Sequence, residues 1–266
     1  MTNNTEAVVL KDLSIGYRTK NSVHTVARDI NVTLPHGKLT CLLGENGVGK
    51  STLLRTLAGF QPRLGGSIIL AGRRIEDYQP NELAQTVGVV LTEKPDVGLM
   101  TAEELVALGR SPYTDFWGRL TQEDHEAVGK AIALVGITAL ASRQVATLSD
   151  GERQKVMIAK ALAQQTNIIF LDEPTAFLDY PSKVDVLLLL RRICHETNKA
   201  VFLSTHDLEL TLQAADTLWL MTRTEGLLTG TPRQLADNGS LKKFVEKGNG
   251  AVFNNESLSV SLSRNA

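Results

Sequence analysis

The chain has 266 residues, 42% of them hydrophobic and 21% charged, which suits one large domain or two small lobes with a core of their own. Its 28 basic residues against 29 acidic ones leave a formal net charge of -1, so no global field draws it to nucleic acid or to an anionic membrane surface. Cys41 and Cys194 are far apart and belong to no Cys/His cluster, which argues against a disulfide framework or a structural zinc site and favours a reducing cytoplasm.

In chain order, the opening MTNNTEAVVLK carries no targeting pattern, so secretion is not expected. Val8-Val9-Leu10 and Arg28 to Leu34 read as short strands, the second with the period-two alternation of a half-buried antiparallel edge. Pro35-His36-Gly37 turns the chain into Leu39 to Leu43, a compact apolar strand that ends in glycine and precedes a helix opening at Lys50. Ser67 to Leu70 is bracketed by glycine turns, and the run from Val87 to Leu91 fits a buried strand. From Thr101 to Leu148 the spacing of Leu105, Val106, Leu108, Val128, Ile132, Leu134 and Val135 predicts amphipathic helices. They are interrupted by turns at Ser111-Pro112-Tyr113 and Trp117-Gly118 and form a small helical lobe. Ile168 to Leu171 and Ala200 to Leu203 are two further apolar strands with a helix, Ser182 to His195, between them. Strands alternating with helices imply a parallel sheet with right-handed crossovers. The longest apolar run, Val186 to Leu190, is far short of the roughly 20 residues of a spanning helix. Residues 250–266, rich in Ser and Asn, read as a weak hairpin around Asn254-Asn255 or as a frayed tail.

Gly44-Glu45-Asn46-Gly47-Val48-Gly49-Lys50-Ser51 satisfies the phosphate-loop pattern G-x-x-x-x-G-K-S, directly after a buried strand and at the start of a helix. Glycines let successive N–H groups turn toward phosphate oxygens, and the helix N-terminus adds partial positive charge. Lys50 neutralises the β and γ phosphates, the Ser51 hydroxyl can ligate magnesium, and Thr52 can add a phosphate contact. Asp172 and Glu173 follow the strand Ile168 to Leu171. At the carboxyl end of a parallel strand these carboxylates face the bound phosphates. Asp172 then suits magnesium. Glu173, expected on the opposite side of an extended segment, is free to polarise the attacking water.

Leu148-Ser149-Asp150-Gly151-Glu152-Arg153-Gln154 lies just before the Asp-Glu strand, and Ser204-Thr205-His206-Asp207 follows the next one. With the phosphate loop, and in this order, they resemble the nucleotide-binding subunit of ABC transporters over residues 8 to 240. The resemblance implies a RecA-like P-loop NTPase core, 8–91 and 154–240, with an N-terminal antiparallel β subdomain, an inserted α-helical subdomain at 92–153, and a tail at 241–266. It further implies an ATPase that uses ATP and Mg2+ as a head-to-tail homodimer, with the signature residues Ser149, Asp150, Gly151, Glu152 and Gln154 acting on the nucleotide of the other chain. His206 is implied to hold Glu173 and the attacking water, Tyr17 to stack on adenine, and Asp179 to cross the dimer interface. The family usually ends the strand matching Val87 to Leu91 with a glutamine. This chain has Thr92 and Glu93 there, so one of these is expected to supply the magnesium contact. The segment Leu105 to Tyr113 resembles importers of iron-siderophores, haem and cobalamin. That branch implies integral membrane permease subunits, an extracytoplasmic substrate-binding protein and a peripheral position on the cytoplasmic face of the inner membrane, with no nucleic-acid partner. A soluble ABC-type ATPase outside transport, such as an iron-sulfur assembly factor, is the alternative.

Overall fold

Two long strands open the chain, β1 (Glu6–Arg18) and β2 (Val23–Pro35), well beyond the Val8–Leu10 and Arg28–Leu34 that alternation predicts. Register shifts between Leu10 and Leu13 and again on to Ile15 and Gly16 break the period-two pattern, while pairing continues across them. With Gly65–Leu70 (β4) and Arg73–Arg74 (β5) they make an antiparallel sheet of order β2-β1-β4-β5. The computed structural model describes residues 6–20, 22–92, 97–247 and 250–262.

Leu39–Gly44 (β3), Ile168–Asp172 (β7) and Ala200–Ser204 (β8) are buried at every position, as strands covered on both faces must be. They join Val87–Val90 (β6), Thr217–Thr222 (β9) and Gly226–Gly230 (β10) in a sheet of order β10-β9-β3-β8-β7-β6. Pairing is parallel from β9 to β6 and antiparallel between β9 and β10.

Alternation along these strands builds two cores, one on each face. Leu42, Phe170, Phe202, Trp219 and Met221 face the antiparallel sheet and Lys50–Leu57 (α1), meeting Leu13, Ile15, Leu53 and Leu57. The rings of Phe170, Phe202 and Trp219 form a chain with centroids 5.9 and 4.8 Å apart. Cys41, Leu43, Ile169, Leu171, Val201, Leu203 and Leu220 face the helices on the other side.

After α2 (Pro80–Thr86), the described residues between β6 and β7 include the α-helices α3 (Ala102–Ala107), α4 (Gln122–Val135) and α5 (Asp150–Ala163). Leu105, Val106, Val128, Ile132 and Val135 pack within the same core, as their spacing predicts, and Leu134 packs partly buried against it; Leu108 is instead exposed, because the chain leaves α3 for a 3-10 segment there and the helical period is lost. Thr101, Thr121 and Ser149 cap these helices, each in a reciprocal box with the acid three residues on. The turn expected at Ser111-Pro112-Tyr113 is the end of a 3-10 segment, Leu108–Tyr113.

Beyond β7 come α6 (Tyr180–Thr197), α7 (Leu208–Ala214), α8 (Pro232–Asp237) and α9 (Ser240–Val245). The tail folds as a hairpin, β11 (Ala251–Asn254) and β12 (Ser259–Leu262), with Phe253 buried beneath it. Among the described residues no helix is long and apolar enough to cross a membrane. Because β3, β8, β7 and β6 run parallel, their carboxyl ends come out along one edge, and there the predicted residues gather.

Candidate functional site

The phosphate loop connects β3 to α1. Gly49 is the N-cap of α1 at φ 113°, and a Cβ there would stand 2.2 Å from Val26 Cγ1, so the position needs glycine both for its left-handed backbone and for the approach of β2. Lys50 is buried and donates from Nζ to the carbonyls of Gly44 (2.9 Å) and Glu45 (3.2 Å). Burial pushes its ammonium below the ordinary range, while the carboxylates of Glu173 and then Asp172 pull it back up. A buried cation at a helix N-terminus, with free backbone N–H groups beside it, is a site for an anion.

The Asp172 carboxylate closes the site from β7. Its Oδ1 accepts from Ser51 Oγ at 3.1 Å and from Ser204 Oγ at 2.6 Å. Ser51 hydroxyl and Asp172 carboxylate together are hard oxygen donors, and they fit Mg2+.

Strand alternation does not set the direction of Glu173. This residue lies past the end of β7 at φ 48°, and this left-handed turn swings its carboxylate outward, with Oε1 3.3 Å from Nδ1 of exposed His206. Thr92 comes to the same strand end, donating from Oγ1 to the Asp172 carbonyl at 2.8 Å. Its proton is committed to backbone, and a metal would meet only its lone pairs. Glu93 lies outside the described residues.

Tyr17 is half exposed at the end of β1, its phenol 2.7 Å from Thr52 Oγ1. A cleft of about 310 Å³ brings Tyr17, His24, Asn46, Gly47, Gly49, Lys50, Ser51, Thr52 and Glu173 together. Of the predicted loop residues, Val48 is turned into the core beneath the antiparallel sheet, and the Glu45 side chain turns outward to Lys247 and Arg223. Glu45 therefore offers the site only its backbone. Neither the Lys247 tie nor the part played by Ser204 follows from local sequence; a polar residue ending a fully buried strand was the available signal for Ser204.

The signature residues are absent from the lining of that cleft, although Asp150 and Gln154 reach Glu173 from a second, smaller one. Ser149 caps α5, its Oγ accepting from Glu152 N at 3.3 Å while the Glu152 carboxylate accepts from Ser149 N at 2.8 Å. That backbone N–H, with the Ser149 hydroxyl, holds the Glu152 carboxyl below its ordinary range. Asp150 pairs with Arg153 at 3.6 Å. Gly151 faces the start of α6 so closely that a Cβ would come within 2.8 Å of Ser182 Oγ. Asp179 caps that helix, accepting from Ser182 N at 3.0 Å, and the hydrogen bonds from Ser182 lower its pKa. Gln154 Nε2 is buried without a hydrogen-bond partner among the described residues, in a small cleft it shares with Thr92, Asp150 and Glu173.

The family model for ABC transporters matches residues 27–176. The chain is 40% identical over 225 residues to the ABC transporter ATP-binding protein MJ0873 of Methanocaldococcus jannaschii, covering 85% of this chain and 76% of that one. It is 38% identical over 225 residues to the ferric enterobactin transport ATP-binding protein FepC of Escherichia coli, covering 85% and 82%. Among solved structures, cbiO1 from Clostridium perfringens, part of the ABC transporter complex cbiONQ, matches with a TM-score of 0.77 at 25% identity, covering 91% and 95% of the two chains.

Proposed function

The chain belongs to the ABC transporter family, as an ATP-binding cassette, and from that premise we propose that it powers uptake of a ferric siderophore by hydrolysing ATP on a membrane permease. The observation that carries the reading is the meeting of Lys50, Ser51, Asp172, Glu173 and His206 at one sheet edge, around a cleft rimmed by Tyr17. The relation to FepC supports the cargo. In this reading residues 8–91 and 154–240 form the nucleotide-binding core and 92–153 the lobe that carries the signature. The chain works as a homodimer on the cytoplasmic face of the inner membrane, fed by an extracytoplasmic substrate-binding protein.

Phosphoryl transfer to water asks of a protein mainly positioning and charge stabilisation. Lys50 and the N–H groups of the loop hold the phosphates in place, and Tyr17 offers its ring to the base. Ser51 and Asp172 would hold Mg2+, which when bound neutralises charge on the β and γ phosphates. Glu173 accepts the proton of the attacking water, and His206 orients that carboxylate.

Tagged Glu173→Gln protein, purified with ATP from detergent-solubilised membranes, is expected to bring down a multi-span permease, identified by mass spectrometry. Soluble partners alone in repeated preparations would move the reading to an ATPase outside transport.

Ser149, Gly151 and Glu152 line neither the phosphate cleft nor the small cleft beside Glu173, which supports their action in trans. In the Glu173→Gln background, ATP is expected to produce a dimer on size exclusion, and adding Ser149→Phe to abolish that dimer while the monomer keeps its ATP affinity within about twofold. Loss of ATP binding by the monomer would instead place Ser149 in its own chain's site.

A further inference from the structure

Ser204 ends β8 and is completely buried, directly opposite Asp172 in the ladder with β7. Its hydroxyl makes two bonds whose directions are fixed by chemistry. The Glu173 N–H, 3.0 Å away, can only donate, so Ser204 Oγ accepts from it. The single proton of the hydroxyl then goes to Asp172 Oδ1 at 2.6 Å. The same Glu173 N–H lies 3.2 Å from the Ser204 carbonyl, so residue 204 holds this amide by both backbone and side chain.

We propose that Ser204 is the positioning residue that locks Asp172 and Glu173 to one another, setting the metal carboxylate and the base as a unit. The inference rests on the roles given above to those two residues. Glu173 sits in a left-handed conformation that side chains rarely adopt, and the fixed amide is what keeps its carboxylate aimed at His206 rather than back along β7. On the other side, Asp172 Oδ1 has two hydroxyl donors. Ser51 belongs to the half-exposed phosphate loop and is the hydroxyl expected to turn to Mg2+, whereas Ser204 is sealed inside the sheet and stays with Asp172. Two residues past Ser204 the same segment supplies His206. One strand end therefore sets the direction of the metal carboxylate, the base and the histidine.

Hydrogen bonds to a liganding carboxylate orient it, and their loss commonly costs 10- to 100-fold in metal affinity or activity. The test uses the full chain in the Glu173→Gln background, melted without nucleotide, with ATP and EDTA, and with ATP and Mg2+. Ser204→Ala is expected to keep the gain in melting temperature from ATP with EDTA but to lose most of the extra gain from Mg2+, its half-saturating Mg2+ rising about tenfold or more. Ser204→Thr, which retains the hydroxyl, keeps that extra gain. In the otherwise wild-type chain Ser204→Ala raises the Mg2+ requirement of phosphate release by a similar factor and lowers kcat. If Ser204→Ala lowers all three melts equally and leaves the Mg2+ gain intact, the hydroxyl is only a core contact and the proposal is overturned. Asp172→Asn separates the premises. A Mg2+ gain lost with Asp172→Asn but kept with Ser204→Ala defeats the present inference alone, whereas a gain kept in both defeats the metal role of Asp172 as well.

Discussion

Glu173→Gln is expected to lower ATP turnover by about 10²-fold or more while leaving ATP affinity within about twofold, measured by steady phosphate release and by equilibrium dialysis. The substitution keeps the volume of the side chain, the backbone amide held by Ser204 and a hydrogen-bonding partner for His206 at the 3.3 Å position. What it removes is the capacity to accept a proton. In the proposed reading the phosphates are held by Lys50 and the loop, and the substitution leaves those groups in place, so binding is expected not to follow turnover down. An unchanged melting temperature would show that the loss is chemical. Turnover within a few fold of the unsubstituted chain would take the proton-accepting role away from Glu173.

The largest effect on stability is expected at Arg110, far from the nucleotide. This guanidinium is 2% exposed and binds three partners, with Nε to Asp124 Oδ1 at 2.8 Å and Nη1 to the Ala163 carbonyl at 2.8 Å and to Gln165 Oε1 at 2.7 Å. Its flat face lies 3.9 Å from the centre of the Tyr113 ring. It thereby joins the stretch after α3 to the first turn of α4 and the last turn of α5, where a cation also suits the helix dipole. Arg110→Ala leaves the buried Asp124 carboxylate without its cation and exposes an unpaired carbonyl at the end of α5. A loss of about 3–5 kcal/mol at neutral pH is expected, read from urea unfolding. A loss under about 1 kcal/mol would mean that the lobe is held by its apolar contacts alone.

The same site predicts how that difference varies with pH. The Thr121 backbone N–H first, then the Thr121 hydroxyl and Arg110, bring Asp124 down to about 2. A carboxylate depressed in the folded chain contributes stability that is present above its ordinary pKa of about 4 and lost as pH falls through the folded value near 2. Removing Arg110 removes part of that contribution. The gap between the two proteins should therefore be full at pH 7 and narrow between pH 4 and pH 2. A gap that widened on acidification would contradict the assignment.

Much of this was legible from short windows. Leu39–Leu43, Ile168–Leu171 and Ala200–Leu203 are continuous apolar runs that only a doubly covered strand explains, and the glycines and Lys50 after the first of them mark the phosphate site. Pattern reading stopped short where the backbone is irregular. Bulges in β1 hide the period, and short helices such as α7, α8 and α9 hold too few turns to show one. Alternation could not place the Glu173 carboxylate, since a left-handed residue beyond the strand leaves no trace in hydropathy. Ser204 and Lys247 act through partners 32 and 202 residues away, and such contacts depend on register and packing that no local window contains.

The strand order also has a consequence for biosynthesis. β3, which carries the phosphate loop, pairs among the described residues with β8 and β9, and both of these neighbours are made more than 150 residues after it. While the ribosome works through the intervening lobe, the nascent chain holds a mostly apolar segment whose partner strands have not yet been made. The loop cannot settle into its bound shape before Thr217–Thr222 has emerged. Nucleotide is therefore not expected to stabilise a chain that stops before β9, and such a product, with an unpaired buried strand, is expected to be prone to aggregation.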